Sequence, residues 1–258
     1  MFIVVVMSDE LRTLLEDVAA GRVSAEDASS AIRGLTGPGD VVPSTEEVRR
    51  IAIKAGAVRL TIIGDDGVAQ AVAEGPHTMR QEGDALLIDT NTTEGEFTAE
   101  PPRSAFITWV GQMINRVGAS VTIRVNPELP LQVLLVGGVL DLSGVRAGAS
   151  IGVEAGSGQV SGSGPLLFDV ASGSGRVDWA FSGQSRVRAD MGSVNVTVRP
   201  DSDVVLTADS SLGQAVVRTH QGNETAPQGA STTPVTVGQG SGRLTVSARM
   251  GAAQVTIA

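Results

Sequence analysis

The chain has 258 residues, 41% of them hydrophobic, with 32 Gly, 3% aromatic residues, no Tyr, no Cys and a formal net charge of −9. Such a hydrophobic chain is not a disordered one, and its length suits one large domain or a domain with a small appendage. The absence of Cys excludes disulfides, thiolate zinc sites and cysteine nucleophiles, and the acidic balance argues against nucleic acid as a partner.

The start, MFIVVVMSDELRTLL, holds an apolar run over 2–7. It is too short for a membrane span and lacks the basic start of a secretory signal. Met7 reads as a natural cytoplasmic start, and a short extra strand is the other reading of the run. Residues 8–35 read as a helical hairpin. Ser8 can cap the first helix with Asp9 and Glu10 at its positive end. Leu11, Leu14, Leu15 and Val18 make one apolar stripe, and Gly21 ends the helix. Ser24 and Asp27 resemble a capping box for a second stripe of Ala28, Ala31, Ile32 and Leu35. Both helices are short and need a partner. Gly37, Pro38, Gly39 and Pro43 mark a linker over 36–49.

From residue 50 onward the segments are short, branched and bounded by Gly and Asp, as in AVRLTII and ALLIDT, which predicts strands. Within them, 103–117 (RSAFITWVGQMINRV) breaks the pattern: Phe106, Trp109, Val110, Met113, Ile114 and Val117 fall on one helical face. This predicts an amphipathic helix. It either plugs the open N-terminal end of the β-domain or, through Phe106, Trp109 and Met113, contacts a membrane surface or an envelope-associated protein.

Glycines then recur before strands, at Gly138, Gly158, Gly175, Gly192, Gly213 and Gly242, at intervals of 20, 17, 17, 21 and 29 residues. The second residue after each is apolar, and the fourth is apolar except at Gly162, the period-two pattern of a strand with one buried face. A second alternating strand precedes each glycine except Gly242. One repeat is therefore strand, corner, strand, return. In EAGSGQVSG the glycines lead into another strand, not into the helix that a dinucleotide loop needs, so the stretch reads as a corner. The expected fold is an all-β, parallel right-handed β-solenoid (β-helix) over 50–258 with a small N-terminal α-hairpin.

The rungs LPLQVLLVGGVLDLSGV, FDVASGSGRVDW and VRADMGSVNVTVRPDSDVVLTADSSLGQAVV resemble the "putative adhesin" family of bacterial β-solenoid proteins, a domain of unknown function, over about residues 50–258. LLEDVAAGRVSAEDASSAI resembles the N-terminal hairpin of LiaX-type envelope-stress proteins. The resemblance implies a non-enzymatic scaffold or binding protein linked to cell-envelope stress. It carries over no catalytic residue and no cofactor.

The residues themselves assign no catalytic, cofactor or metal site. His77 and His220 lie in turn segments, and a metal site needs several converging ligands. Asp65–Asp66–Gly67 is hairpin-turn chemistry. Asp141 and Asp178 fall at equivalent outward positions, but Ser161 lies between them and no basic stripe accompanies them, which argues against a carbohydrate-active β-helix enzyme. The other rival is a self-polymerising solenoid of the bactofilin kind. The last residues, GAAQVTIA, alternate to the end, so an open strand edge is expected there. Val255 and Ile257 on that edge, with Leu11 and Leu15 of the hairpin, are the expected self-association contacts of a homo-oligomer. The expected location is cytoplasmic, with a peripheral membrane association as the variant.

Overall fold

The computed structural model describes residues 47–90, 119–219, 222–226 and 228–258. Every regular element among them is a strand, and all eighteen join one sheet. The chain runs through β1 (Arg50–Ala55), β2 (Val58–Gly64), β3 (Ala71–Glu74), β4 (Thr78–Glu82), β5 (Ala85–Asp89) and β6 (Ser120–Val125). Three long strands follow, β7 (Leu131–Val145), β8 (Ala149–Gly164) and β9 (Leu166–Phe181). Then come β10 (Gln184–Ala189), β11 (Ser193–Val198), β12 (Val204–Ser210) and β13 (Gln214–Thr219). The last five are β14 (Gly222–Ala226), β15 (Ala230–Ser231), β16 (Val235–Val237), β17 (Gly242–Ala248) and β18 (Ala252–Ile257).

Alternating apolar residues make these segments strands, and their alternation sets the inside. In β12, Val204, Leu206 and Ala208 are fully buried while Val205, Thr207 and Asp209 between them are not. Each rung has a first limb and a second limb, bent at a corner. In β7, β8 and β9 both limbs belong to one strand; elsewhere two strands share a rung. Parallel pairing stacks the rungs in the order β5/β6, β1/β2, β7, β8, β9, β10/β11, β17/β18, β12/β13.

The pairing is not parallel throughout. β4 runs antiparallel to β5 and β3 to β6 at one end. At the other end β15 and β16 run antiparallel to β12, and β14 to β13. The expected parallel right-handed β-solenoid with an α-hairpin is therefore corrected to an all-β, mixed sheet. The reason is that alternation has the same period of two in parallel and antiparallel strands, so the sequence pattern does not separate them. The antiparallel strands cover the terminal rungs, whose edges otherwise present unpaired backbone groups. The hairpin expected at 8–35 and the helix expected at 103–117 lie outside the described residues.

Stack order departs from chain order at both ends. The first rung in sequence, β1/β2, lies second in the stack, and the last, β17/β18, lies between β10/β11 and β12/β13. The C-terminal strand is thus no edge. β18 pairs with β11 on one side and β13 on the other, and the final amide, Ala258 N–H, donates to the Val198 carbonyl at 3.1 Å. Val255 is fully buried and Ile257 packs against the core. The open-edge expectation fails because strand alternation says nothing about which neighbours a terminal strand finds.

Glycines line the corner. A Cβ on Gly138 would overlap the Val58 carbonyl oxygen, and one on Gly156 that of Gly138. The line continues through Gly173 on Gly156, Gly192 on Gly173, Gly251 on Gly192 and Gly213 on Gly251. Gly158 and Gly175, expected at the corner, sit two residues beyond it. They face the interior opposite Phe168, whose Cε1 lies 2.5 Å from a Cβ built on Gly175. Gly162, the exception in the apolar pattern, pairs with Trp179, and a Cβ there would lie 2.7 Å from the indole. These glycines give up volume to the largest buried side chains, as close packing demands. The Trp179 indole N–H donates to the Gly164 carbonyl at 2.9 Å, satisfying its one polar group.

Gly192→Val forces rungs apart and should destabilise by about 1–3 kcal/mol in chemical unfolding. Gly152→Ala meets only the mobile end of Leu134, at 3.3 Å, and should stay within about 0.5 kcal/mol of the parent. Equal effects from the two would contradict the corner line.

Candidate functional site

Register sets which outward side chains meet. Along the first limbs one outward row reads Asp89, Lys54, Leu134, Gly152, Asp169, Arg188 in stack order. Beside it runs Leu87, Ala52, Gln132, Ser150, Leu167, Arg186. Both rows floor a groove crossing six rungs, ~24 Å at the usual strand spacing. One part holds about 520 Å³ and is walled by Thr78 and Arg80 of β4. A smaller part, about 200 Å³, continues to Glu154, Arg186, Arg188 and Asp190. Gly152 and Asp169 belong to both parts.

The groove balances its charges: Lys54, Arg80, Arg186 and Arg188 against Asp89, Glu154, Asp169 and Asp190. Arg188 pairs with Asp190 at 2.8 Å, and Arg186 approaches one oxygen of Asp169 at 3.6 Å. The other oxygen, Asp169 Oδ1, is buried and has no hydrogen-bond partner. The side chain as a whole is 46% exposed, so the carboxylate stays hydrated at its other oxygen while Oδ1 is screened from solvent. Two apolar side chains, Leu134 and Leu167, are also exposed on this floor.

A different surface lies along the corner. Met191, Met250 and Leu212 each precede a corner glycine on three successive rungs and are 60%, 54% and 66% exposed. Chain insertion brings them together, since in sequence they are far apart. Three side chains form a patch of ordinary size for a protein surface.

The residues singled out from sequence fall elsewhere. Asp141 and Asp178 do not share a row: Asp141 aligns with Gln159 and Arg176, whereas Asp178 aligns with Ser161 and Thr197 and pairs with Arg199 at 2.7 Å. Their expected equivalence fails because the copies were aligned two residues out. His77 lies in a turn, its Nδ1 donating to the Gly75 carbonyl at 2.8 Å. Leu11, Leu15, Phe106, Trp109, Met113 and His220 lie outside the described residues. Asp169, Arg186 and Arg188 were missed, since each is only an outward polar residue until register sets it beside its neighbours.

Asp65 and Asp66 tie return turns together. Asp65 Oδ1 accepts from Gly67 N–H at 2.9 Å, and its Oδ2 pairs with Arg124 at 3.1 Å. Arg146, in the turn after β7, pairs with Asp66 and with Glu128. The Gly67 amide and then Arg124 hold the Asp65 carboxyl below its ordinary value of 3.8, and Arg146 does the same for Asp66. All these groups are solvent-exposed, so the clasp adds little at high salt.

No protein-family model and no curated protein matches the chain. Two solved structures are similar to it. One, from Clostridium sporogenes, is described as a "putative cell adhesion protein"; it has 13% identity and a TM-score of 0.41, over 82% of this chain and 94% of that one. The other, from Bacteroides fragilis, is described as a "putative adhesin"; it has 10% identity and a TM-score of 0.28, over 83% and 93%. Overlaps at these scores define neither the fold nor the role of this chain, which rest on its own residues.

The clasp has a pH signature. A depressed carboxyl pKa adds stability above the unfolded value and loses it as pH falls through the folded one. Arg146→Gln should lower the unfolding midpoint at neutral pH, and the difference from the parent should close as pH drops below about 3.8. A difference that persists in acid would remove the clasp from the account.

Proposed function

We propose that this chain is a non-catalytic binding protein, a rigid scaffold that takes an extended ligand along the first-limb groove. The observation that carries this reading is Asp169, a carboxylate kept in the groove floor with one buried oxygen unpaired. A screened polar atom left without a partner is a place where a ligand group can bond. The groove runs across the rungs, so it suits a linear molecule. Its four cations and four anions favour a ligand that is neutral and polar or carries both signs, not a polyanion. Leu134 and Leu167 supply apolar contact between the charged stretches.

The test is an array of linear oligosaccharides together with a library of extended peptides, applied to the intact chain. Binders should lose affinity ~10-fold or more on Asp169→Ala or Arg188→Ala, the worth of one charge-assisted hydrogen bond. Arg176→Ala, on the outward face of the second limb of β9, should leave them unchanged. Asp169→Val should keep or raise the melting temperature, because it removes the unpaired oxygen and suits a strand. An Asp169→Val chain that melts earlier, or binders indifferent to the groove substitutions, would contradict the reading.

A further inference from the structure

The rung inserted out of order occupies a slot that a second copy of this chain can fill. Residues 242–257 form a complete rung. β17 pairs with both β10 and β12, and β18 with both β11 and β13. Leu244, Val246, Ala248, Ala253 and Val255 are buried within it. Without it, two rungs that precede it in sequence face each other with open ladders on both limbs.

The connection to this rung is built as a hinge. β16 lies antiparallel on one side of β12 and β17 parallel on the other, so 238–241 crosses from one flank of β12 to its opposite flank. Gly238 and Gly240 take φ of 67° and 72° there, values open to glycine and costly for other residues. Asp203, just before β12, latches the crossing. Its Oδ1 accepts from Ser241 N–H at 3.2 Å and its Oδ2 from the Ser241 hydroxyl at 2.5 Å. These bonds, the hydroxyl's foremost, hold the Asp203 carboxyl below its ordinary value.

We propose that residues 242–258 are an exchangeable rung: two copies of this chain associate by each placing this segment between β10/β11 and β12/β13 of the other, with 238–241 as the hinge and Asp203 as the latch that favours the closed monomer. Exchange of an identical element is a low-cost route to a symmetric dimer, since each swapped contact reproduces one already present in the monomer. It needs no new apolar surface and does not depend on the groove, so it stands or falls apart from the binding reading.

The chain has no Cys, which permits a direct test. Asn195 and Gln254 are register partners on β11 and β18 and point outward. Adjacent parallel strands bring such Cα atoms within disulfide range. Asn195→Cys and Gln254→Cys are placed on separate full-length chains, which are unfolded together, refolded at high micromolar concentration and oxidised. Exchange predicts a covalent heterodimer on non-reducing gels, absent when the two chains are folded separately before mixing. Asp203→Ala should raise its yield severalfold. A control pair, Asn195→Cys with Ser150→Cys, should give none above background. No heterodimer after co-refolding, or a yield equal to that of the control pair, would overturn the proposal. If Asp203→Ala leaves the yield unchanged, the latch is wrong. The single-cysteine chains must melt like the parent.

Discussion

Neighbouring rungs approach to backbone contact along one line, Val58, Gly138, Gly156, Gly173, Gly192, Gly251 and Gly213, where each carbonyl oxygen occupies the space a Cβ would need on the next. The missing Cβ atoms let the corner keep the spacing that the backbone ladders impose on both limbs. The core between the limbs is thin, built of Val, Ile, Leu and Ala, with Phe168 and Trp179 admitted where Gly158, Gly162 and Gly175 make room. The outward rows inherit the same spacing. The groove exists because six rungs repeat at a constant interval, with Gly152 leaving a dip in its floor between Leu134 and Asp169.

The line of glycines also explains how the stack ends. A parallel ladder alone would leave an open rung at each terminus, a template for further strands. Here the first and last described rungs in sequence, β1/β2 and β17/β18, lie one place inward, and antiparallel strands cover the outermost rungs, β3 and β4 on β5/β6 and β14, β15 and β16 on β12/β13. The tucked rung β17/β18 is the element that the proposed exchange shares between copies.

The all-β character and three corner glycines were legible in the sequence, because alternation and tight corners are local, whereas the arrangement of the sheet was not. Gly138, Gly192 and Gly213 stand at the corner where the spacing put them, and the limbs before them alternate as expected. Gly158 and Gly175 misled because a glycine also serves to admit a ring, and that use depends on Phe168, which lies in β9. Gly242 misled because it opens a first limb, not a second, in a rung that inserts out of order. The antiparallel strands within 71–82 and 222–237 were not legible, since they are short and only Ala226 and Val237 among them are buried. The candidate site was not legible. Asp169 becomes notable only when Gly152 and Arg188 are its neighbours, and that adjacency belongs to register between segments 17 to 19 residues apart.

The central claim is that the last rung lies inside the stack, hydrogen-bonded on both limbs to its neighbours. Native-state amide hydrogen exchange tests it most directly, because a terminal strand at an edge frays while an interior one opens only with the core. The account predicts that the amides of Ala252 to Ala258 are protected to the level of those in β8 and β9. Rapid exchange of Gln254 to Ala258, with β8 and β9 still protected, would place the C-terminal strand at an edge and contradict it.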